Sequence, residues 1–160
     1  MIRYKLSIVA IAIFMFAGCK RSNPELMDFT YKFTMESIGN YKVEFQMNSD
    51  STYKIEQNNY FFDKYEGVSR PVVRQGNLTT EEYIELRELV SKSGINDMRE
   101  SYGFEKNNNL QNSILYIIEL VQNGQSKFIS INANGGERFP DDFNRLIETT
   151  GDFIDYKLDE

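Results

Sequence analysis

The chain has 160 residues, with 24 acidic and 18 basic side chains, no histidine and one cysteine. This length suits a single domain, and the net charge of −6 argues against nucleic acid as a partner because its phosphates would be repelled. Without histidine, Ser-His-Asp triads, Cys-His dyads and histidine-based zinc or haem sites are excluded. A hydrolase that uses only two carboxylates is still compatible with this composition.

The first residues carry the pattern of an export signal. Arg3 and Lys5 precede an apolar run over residues 6–17, and Phe16-Ala17-Gly18-Cys19 ends that run. A transmembrane helix needs about 20 apolar residues, and a core helix would show a polar face, so neither explains the segment. The tetrapeptide resembles a bacterial lipobox. This resemblance implies cleavage before Cys19 and lipidation of the Cys19 thiol.

Three regions follow from this pattern: a signal peptide over 1–18, a lipidated tether over 19–27 and a single domain over 28–160. Cleavage removes two positive charges and no acids, so the mature net charge is −8. Lys20-Arg21 after the cysteine differs from the acidic tag of surface-exported Bacteroidetes lipoproteins. We therefore expect a lipid-anchored protein of the bacterial cell envelope, on the periplasm-facing side of the outer membrane. The membrane, bound through the lipid anchor, is the first expected partner.

The first part of the mature chain has the period of β-strands. Residues 28–47 alternate between apolar and polar around a turn at 37–40, which predicts a hairpin with one solvated face. Asn48-Ser49-Asp50 predicts the next turn, and Tyr53 and Ile55 continue into a third strand. Asp50-Ser51-Thr52 also resembles a short O-glycosylation signal of exported Bacteroidetes proteins, but an ordinary turn is the interpretation we prefer.

An aromatic run follows a predicted turn at Asn58-Asn59. Three consecutive aromatic residues from Tyr60 to Phe62 cannot all face one core in a strand, so we expect at least one to point outward. An exposed aromatic patch beside the polar connection over 95–111 suits a protein or glycan partner. The alternative is that this connection covers the aromatic side chains. The candidate binding residues are Tyr60, Phe62, Tyr65 and Tyr102.

The period changes from strand to helix after a strand predicted over 68–75, in which Pro71 favours an edge position. Thr79-Thr80-Glu81-Glu82 predicts a capping box at the start of a helix, and Gly94 predicts its end. Residues 95–111 are interpreted as a long polar connection.

The last third of the chain predicts a hairpin and a second helix. Residues 114–121 are apolar on both faces except at Glu119, which predicts the central strand, and Asn123-Gly124 predicts a type I′ turn. Pro140-Asp141-Asp142 predicts the start of the final helix. The expected fold is a two-layer α+β domain: a mainly antiparallel sheet of about five to six strands with two helices on one face.

Oxygen-bearing side chains provide the remaining chemistry. The candidate carboxylates for a hydrolase are Glu66, Glu105, Glu119, Asp141 and Asp142. Glu119 is the most unusual because it interrupts an apolar strand, although a salt bridge is the alternative explanation. Asn107-Asn108-Asn109 lacks the spacing of a calcium loop. We therefore expect a domain that is not an enzyme and holds no metal or cofactor.

From about residue 51 to residue 154, the chain resembles an uncharacterised family of small lipoproteins from Bacteroidetes. The segments that carry the resemblance are Asp50-Ser51-Thr52-Tyr53, Gly76, residues 78–82, residues 97–103, Asn123-Gly124 and the apolar helix after Pro140. The family has no assigned activity. The resemblance therefore implies a fold and an envelope location, and it transfers no functional residue.

Two functional hypotheses follow. The first is a non-enzymatic domain that binds an envelope protein or glycan through the aromatic run and the polar connection. The alternative is an acidic inhibitor or modulator of a basic envelope enzyme such as lysozyme, which the negative charge favours. Lysozyme-inhibitor lipoproteins tend to carry a Ser-Gly-x-x-Tyr signature, which this chain lacks.

Overall fold

The computed structural model describes residues 26–60, 70–105 and 113–160. Short 3₁₀ turns cover Ile95–Asp97 and Ala133–Gly135. In chain order, the strands and helices are β1 (Phe29–Ser37), β2 (Tyr41–Asn48), β3 (Thr52–Asn59), β4 (Val72–Asn77), α1 (Thr80–Lys92), β5 (Ser101–Tyr102), β6 (Ile114–Gln122), β7 (Gln125–Asn132) and α2 (Asp141–Asp159).

The strands of the described residues form one sheet in the order β4-β3-β2-β1-β6-β7-β5. Neighbouring strands are antiparallel except for β5 and β7, which run parallel. This confirms the α+β prediction. The sheet has seven strands instead of five to six because β5 pairs two residues of the connection that the sequence predicts as a loop. Two residues are too few to show a strand period.

The buried strand side chains lie on one face of the sheet. In β1, Tyr31 and Phe33 are buried, and the residues that alternate with them are partly exposed. Both helices contribute to the same core and contact each other. From α2, the Phe153 ring lies 5.5 Å from the Phe45 ring, and Thr150 contacts the Tyr31 hydroxyl. In the described part of the chain, the other face of the sheet carries no helix, and we call it the open face.

The helix boundaries agree with the predicted signals. The Thr79 hydroxyl oxygen accepts a hydrogen bond from the Glu82 backbone N–H at 3.2 Å, and the Glu82 carboxylate accepts one from the Thr79 N–H at 2.8 Å. This is the capping box that the sequence predicts. Gly94 follows α1 in the left-handed region with φ of +72°. Asp141 and Asp142 lie in the first turn of α2, where acids are favourable.

Two strand predictions are wrong in detail. Asn58 and Asn59 do not form a turn, because they pair with Lys42 and Tyr41 and extend β3. β6 lies inside the sheet as predicted, but β1 occupies the middle position. The prediction that the strand near Pro71 lies at an edge is confirmed, since β4 begins just after this proline and is the outermost strand.

Leu26, which belongs to the predicted tether over 19–27, is part of the hydrophobic core. Leu26 is 6% exposed, and its carbonyl oxygen accepts a hydrogen bond from Arg87 Nη2 at 3.1 Å. The signal peptide and Cys19 lie outside the described residues. Within those residues, no helix is both long and apolar enough to cross a membrane.

Candidate functional site

The structure separates the predicted binding residues. Tyr60 is half-buried and directly follows β3, whereas Tyr102 belongs to β5 at the far edge of the sheet. Five inter-strand spacings lie between these strands, which is roughly 24 Å at about 4.8 Å each. Phe62 and Tyr65 lie outside the described residues. Tyr60 and Tyr102 therefore belong to two different surfaces.

Tyr102 is held by packing contacts. Its ring centroid lies 5.1 Å from that of Phe139 in an edge-to-face arrangement, and the Arg99 guanidinium carbon lies 4.6 Å from the ring centroid. The Tyr102 hydroxyl oxygen also accepts a hydrogen bond from the Arg99 backbone N–H at 2.9 Å. These contacts hold the connection that follows α1 against Phe139, which precedes α2 and whose ring packs against Phe143 of that helix. They explain Tyr102 as a packing residue.

One edge of the sheet, formed by β4, is a second candidate surface. β4 pairs with β3 along one side, and no strand of the described residues pairs with its other side. All of its residues are exposed, with Val72 at 40% and Val73 at 43%. A strand in this position presents unpaired backbone N–H and C=O groups to solvent. We call Val72–Asn77 the β4 surface. Tyr60 follows the neighbouring strand β3, three residues past Gln57, which lies opposite Val72.

The β4 surface differs in charge from the neighbouring strands. On β3, Lys54 pairs with Glu56 at 2.9 Å, and on β2, Lys42 pairs with Glu44 at 3.0 Å. Arg74 on β4 makes only a 3.5 Å contact to the backbone carbonyl of residue 73, and it forms no ion pair within the described residues. The surface therefore has positive charge that no carboxylate of the described residues neutralises.

Glu119 is a salt-bridge residue of the open face. Its Oε2 atom lies 2.9 Å from Lys32 Nζ, and its Oε1 atom accepts a hydrogen bond from the Ser126 hydroxyl at 3.1 Å. The hydrogen bond from Lys32, with a further contribution from Ser126, lowers the pKa of the Glu119 carboxyl. A carboxylate held in its ionised form is poorly suited to act as a general acid, so the salt-bridge explanation holds for Glu119.

The ladder between β2 and β3 forms a carboxylate pair that the sequence does not reveal. Glu44 and Glu56 lie directly opposite each other, a position that brings Cβ atoms within about 4.5–5.5 Å. They line a shallow depression of about 230 Å³ on the open face. The hydrogen bond from Lys54 lowers the pKa of Glu56. Each glutamate has its own lysine partner, so the pair is explained as part of the salt bridges of the open face.

The other carboxylates are scattered or structural. Glu105 lies 3.8 Å from Arg99 on the exposed connection, the two aspartates begin α2, and Glu66 lies outside the described residues. Among the residues that the structure describes, no three acidic side chains are grouped so that they could hold a metal ion. The four candidates that the structure describes therefore do not combine into a single acid-base site.

Asp50-Ser51-Thr52 is a turn, as preferred from the sequence. Ser51 has a φ of +64°. Asp50 Oδ1 accepts hydrogen bonds from the Thr52 backbone N–H at 3.0 Å and from its hydroxyl at 2.6 Å. The hydrogen bond from the Thr52 hydroxyl is the largest cause of the lowered pKa of Asp50. The three residues are therefore explained by the tight connection between β2 and β3.

No family model matches the chain, and no curated protein matches it either. The resemblance to small Bacteroidetes lipoproteins therefore depends on the sequence motifs alone, and function is inferred from the geometry of this chain.

Proposed function

We propose that this protein is a lipid-anchored protein of the bacterial cell envelope whose domain binds an envelope partner and catalyses no reaction. The observation that carries the proposal is the short distance in sequence between the lipobox-like Cys19 and the core residue Leu26. Seven residue steps span at most about 25 Å. Lipid on Cys19 would therefore hold the domain close to the membrane surface, which we place on the periplasmic side of the outer membrane.

The anchor is tested by metabolic labelling with palmitate. We expect the wild-type chain to incorporate label and its processing to be blocked by globomycin. The Cys19→Ser variant should lose the label, whereas the matched variant Ser22→Ala should keep it. Label that persists after Cys19→Ser would overturn the anchor.

The binding role is supported by the β4 surface, a sheet edge that no strand of the described residues covers and whose Arg74 has no carboxylate partner among them. Exposed sheet edges are recurrent sites of protein recognition, so a protein is the partner class that this surface favours over a glycan. The open face adds a polar neighbourhood of lysine–glutamate pairs.

The binding role is tested by cross-linking the anchored protein in cell envelopes and measuring partner recovery. We expect the double variant Tyr60→Ala, Phe62→Ala to reduce recovery of a specific partner about tenfold. Tyr156→Ala is the matched control, because Tyr156 is 57% exposed on α2. Unchanged recovery with the double variant would remove Tyr60 and Phe62 from the site, and enrichment on a glycan array would identify a glycan as the partner instead.

A second candidate function is supported by α1. Glu81, Glu85 and Glu88 are all exposed at spacings that place them on one side of a helix. Such a stripe suits a basic envelope enzyme such as lysozyme as the partner. Inhibition should be strongest near 0.01 M salt, where the Debye length is about 30 Å, and weaker after Glu85→Gln. Absence of inhibition at low salt would dispose of this candidate.

A further inference from the structure

We propose that the outer edge of β4 accepts an extended, acidic segment of a partner protein as an additional strand of the sheet. The inference rests on the proposed binding role and specifies how the partner is recognised. It depends on three features of β4: its free backbone edge, its charge and the alternation of its side chains.

Among the described residues, nothing pairs with the outer side of β4. β4 pairs with β3 from Asn77, opposite Thr52, to Val72, opposite Gln57, so alternate residues direct their peptide groups away from the sheet. Pro71 precedes the paired region and removes no N–H group within it. Proteins usually protect edge strands by making them short or by covering them. At the other edge, β5 has only two residues, whereas β4 has six, all exposed.

The charge of β4 selects an acidic occupant. Residues 70–78 contain Arg70 and Arg74 and no acidic residue, and both arginines are exposed. Neither forms an ion pair within the described ranges, although the lysines of β1, β2 and β3 each have a glutamate partner. A carboxylate on an incoming strand would provide the missing partner for Arg74. A basic segment would be repelled there.

The side-chain pattern specifies the incoming sequence further. Val73 lies opposite Glu56 and faces the open side of the sheet, and Arg74 lies opposite Ile55 and faces the helix side. An added strand in register therefore places one side chain beside Val73 and the next beside Arg74, on opposite faces. The pattern that fits is an apolar, β-branched residue adjacent to an aspartate or glutamate.

A second copy of this chain fits less well. If the β4 strands of two copies paired antiparallel along their full length, the two Arg74 side chains would lie opposite each other or one position apart. Like charges at such positions are unfavourable. The two mature chains would also each carry a net charge of −8, which opposes close approach. An acidic segment avoids the contact between arginines.

The test measures amide hydrogen exchange of the full-length protein, extracted in detergent, with two synthetic peptides. One peptide alternates valine and glutamate over about seven residues, and the other has lysine in place of glutamate. We expect the glutamate peptide to slow exchange of the Val72–Asn77 amides about tenfold and the lysine peptide to leave them unchanged. Equal protection of β4 by both peptides would overturn the proposal. Protection of the opposite edge of the sheet, formed by β5 and β7, would overturn it too.

Charge reversal provides the decisive variant. Arg74→Glu removes no ion pair among the described residues, so the fold should persist, and the preference should switch to the lysine peptide. Arg145→Glu on α2 is the matched control and should behave like the wild type. An unchanged preference after Arg74→Glu would refute the charge argument, and β4 protection that rises with protein concentration alone would identify a second copy as the occupant. Either result would leave palmitate labelling and Tyr60-dependent capture intact, so the anchor and binding role would be judged separately.

Discussion

The contact between Gly103 and Gly135 provides the sharpest test of the packing. A Cβ atom added to Gly135 would lie 2.3 Å from the Gly103 Cα atom, closer than real Cβ contacts occur. The three atoms nearest to the added Cβ are Cα, O and C of Gly103. All three belong to the backbone, so no side chain can rotate to make room. The Gly135 contact holds the segment that follows β5 against the end of β7, and we therefore expect Gly135→Ala to disturb both.

The expected magnitude follows from the geometry. Relief of the contact requires a backbone shift on the order of 1 Å, and overpacking of this kind costs about 1–3 kcal/mol. With a urea m-value of about 2 kcal/mol/M for a domain of this size, a loss of about 2 kcal/mol lowers the unfolding midpoint by about 1 M. The assay is urea unfolding of the full-length chain in detergent, followed by circular dichroism.

Two other glycines provide matched controls. Gly39 has a φ of +74° and no atom within 4 Å of an added Cβ, so Gly39→Ala should cost only the backbone strain of about 1 kcal/mol. Gly151 lies inside α2, also with nothing within 4 Å, and Gly151→Ala should stabilise the protein by about 1 kcal/mol. A Gly135→Ala midpoint equal to or above that of Gly39→Ala would refute the reasoning.

Three further predictions concern single side chains. Thr79→Ala should lower the free energy of unfolding by about 1 kcal/mol because it removes the N-cap of α1, and Thr79→Ser should restore most of it in the same urea assay. Tyr31→Phe should cost about 1 kcal/mol, since it deletes the buried 3.3 Å hydrogen bond to Thr150; a neutral effect would contradict this bond. The pKa of Glu119 is lowered in the folded protein. Its bond to Lys32 therefore stabilises the fold when the pH is above the unfolded-state pKa of about 4.3, and this stability is lost as the pH falls through the folded-state pKa. The effect is about a few tenths of a kcal/mol because the pair is partly exposed. Glu119→Gln should therefore slightly reduce the difference in Tm between pH 7 and pH 3. An unaltered difference would count against the pair.

Most of the local structure could be predicted from the sequence. Alternation over residues 28–47, the capping box at Thr79 and the Asn123-Gly124 turn each depend on residues close together in the chain, and the structure confirms all three. The prediction failed at Asn58-Asn59, where two turn-forming residues are kept in β3 by pairing with β2. At these two positions, the preference of asparagine for turns is outweighed by the hydrogen bonds between β3 and β2.

The candidate site was harder to predict because it depends on strand order. Tyr60 and Tyr102 were grouped by residue type, and the sheet places them near opposite edges. The pairing of Glu44 with Glu56 depends on the register of β2 and β3, which a pattern within one strand does not contain.

The sequence by itself determined most of the secondary structure elements, the edge position of the strand after Pro71, the absence of imidazole chemistry and the predicted lipidation position at Cys19, because these are properties of single residues or short segments. Only the tertiary structure decided the order of the strands, the pairing of Glu44 with Glu56 and that Arg74 has no carboxylate partner within the described residues. These features arise from pairing between strands that are distant in the chain. The free energy of such pairing depends on the side chains of both strands, so the sequence of one strand does not determine it.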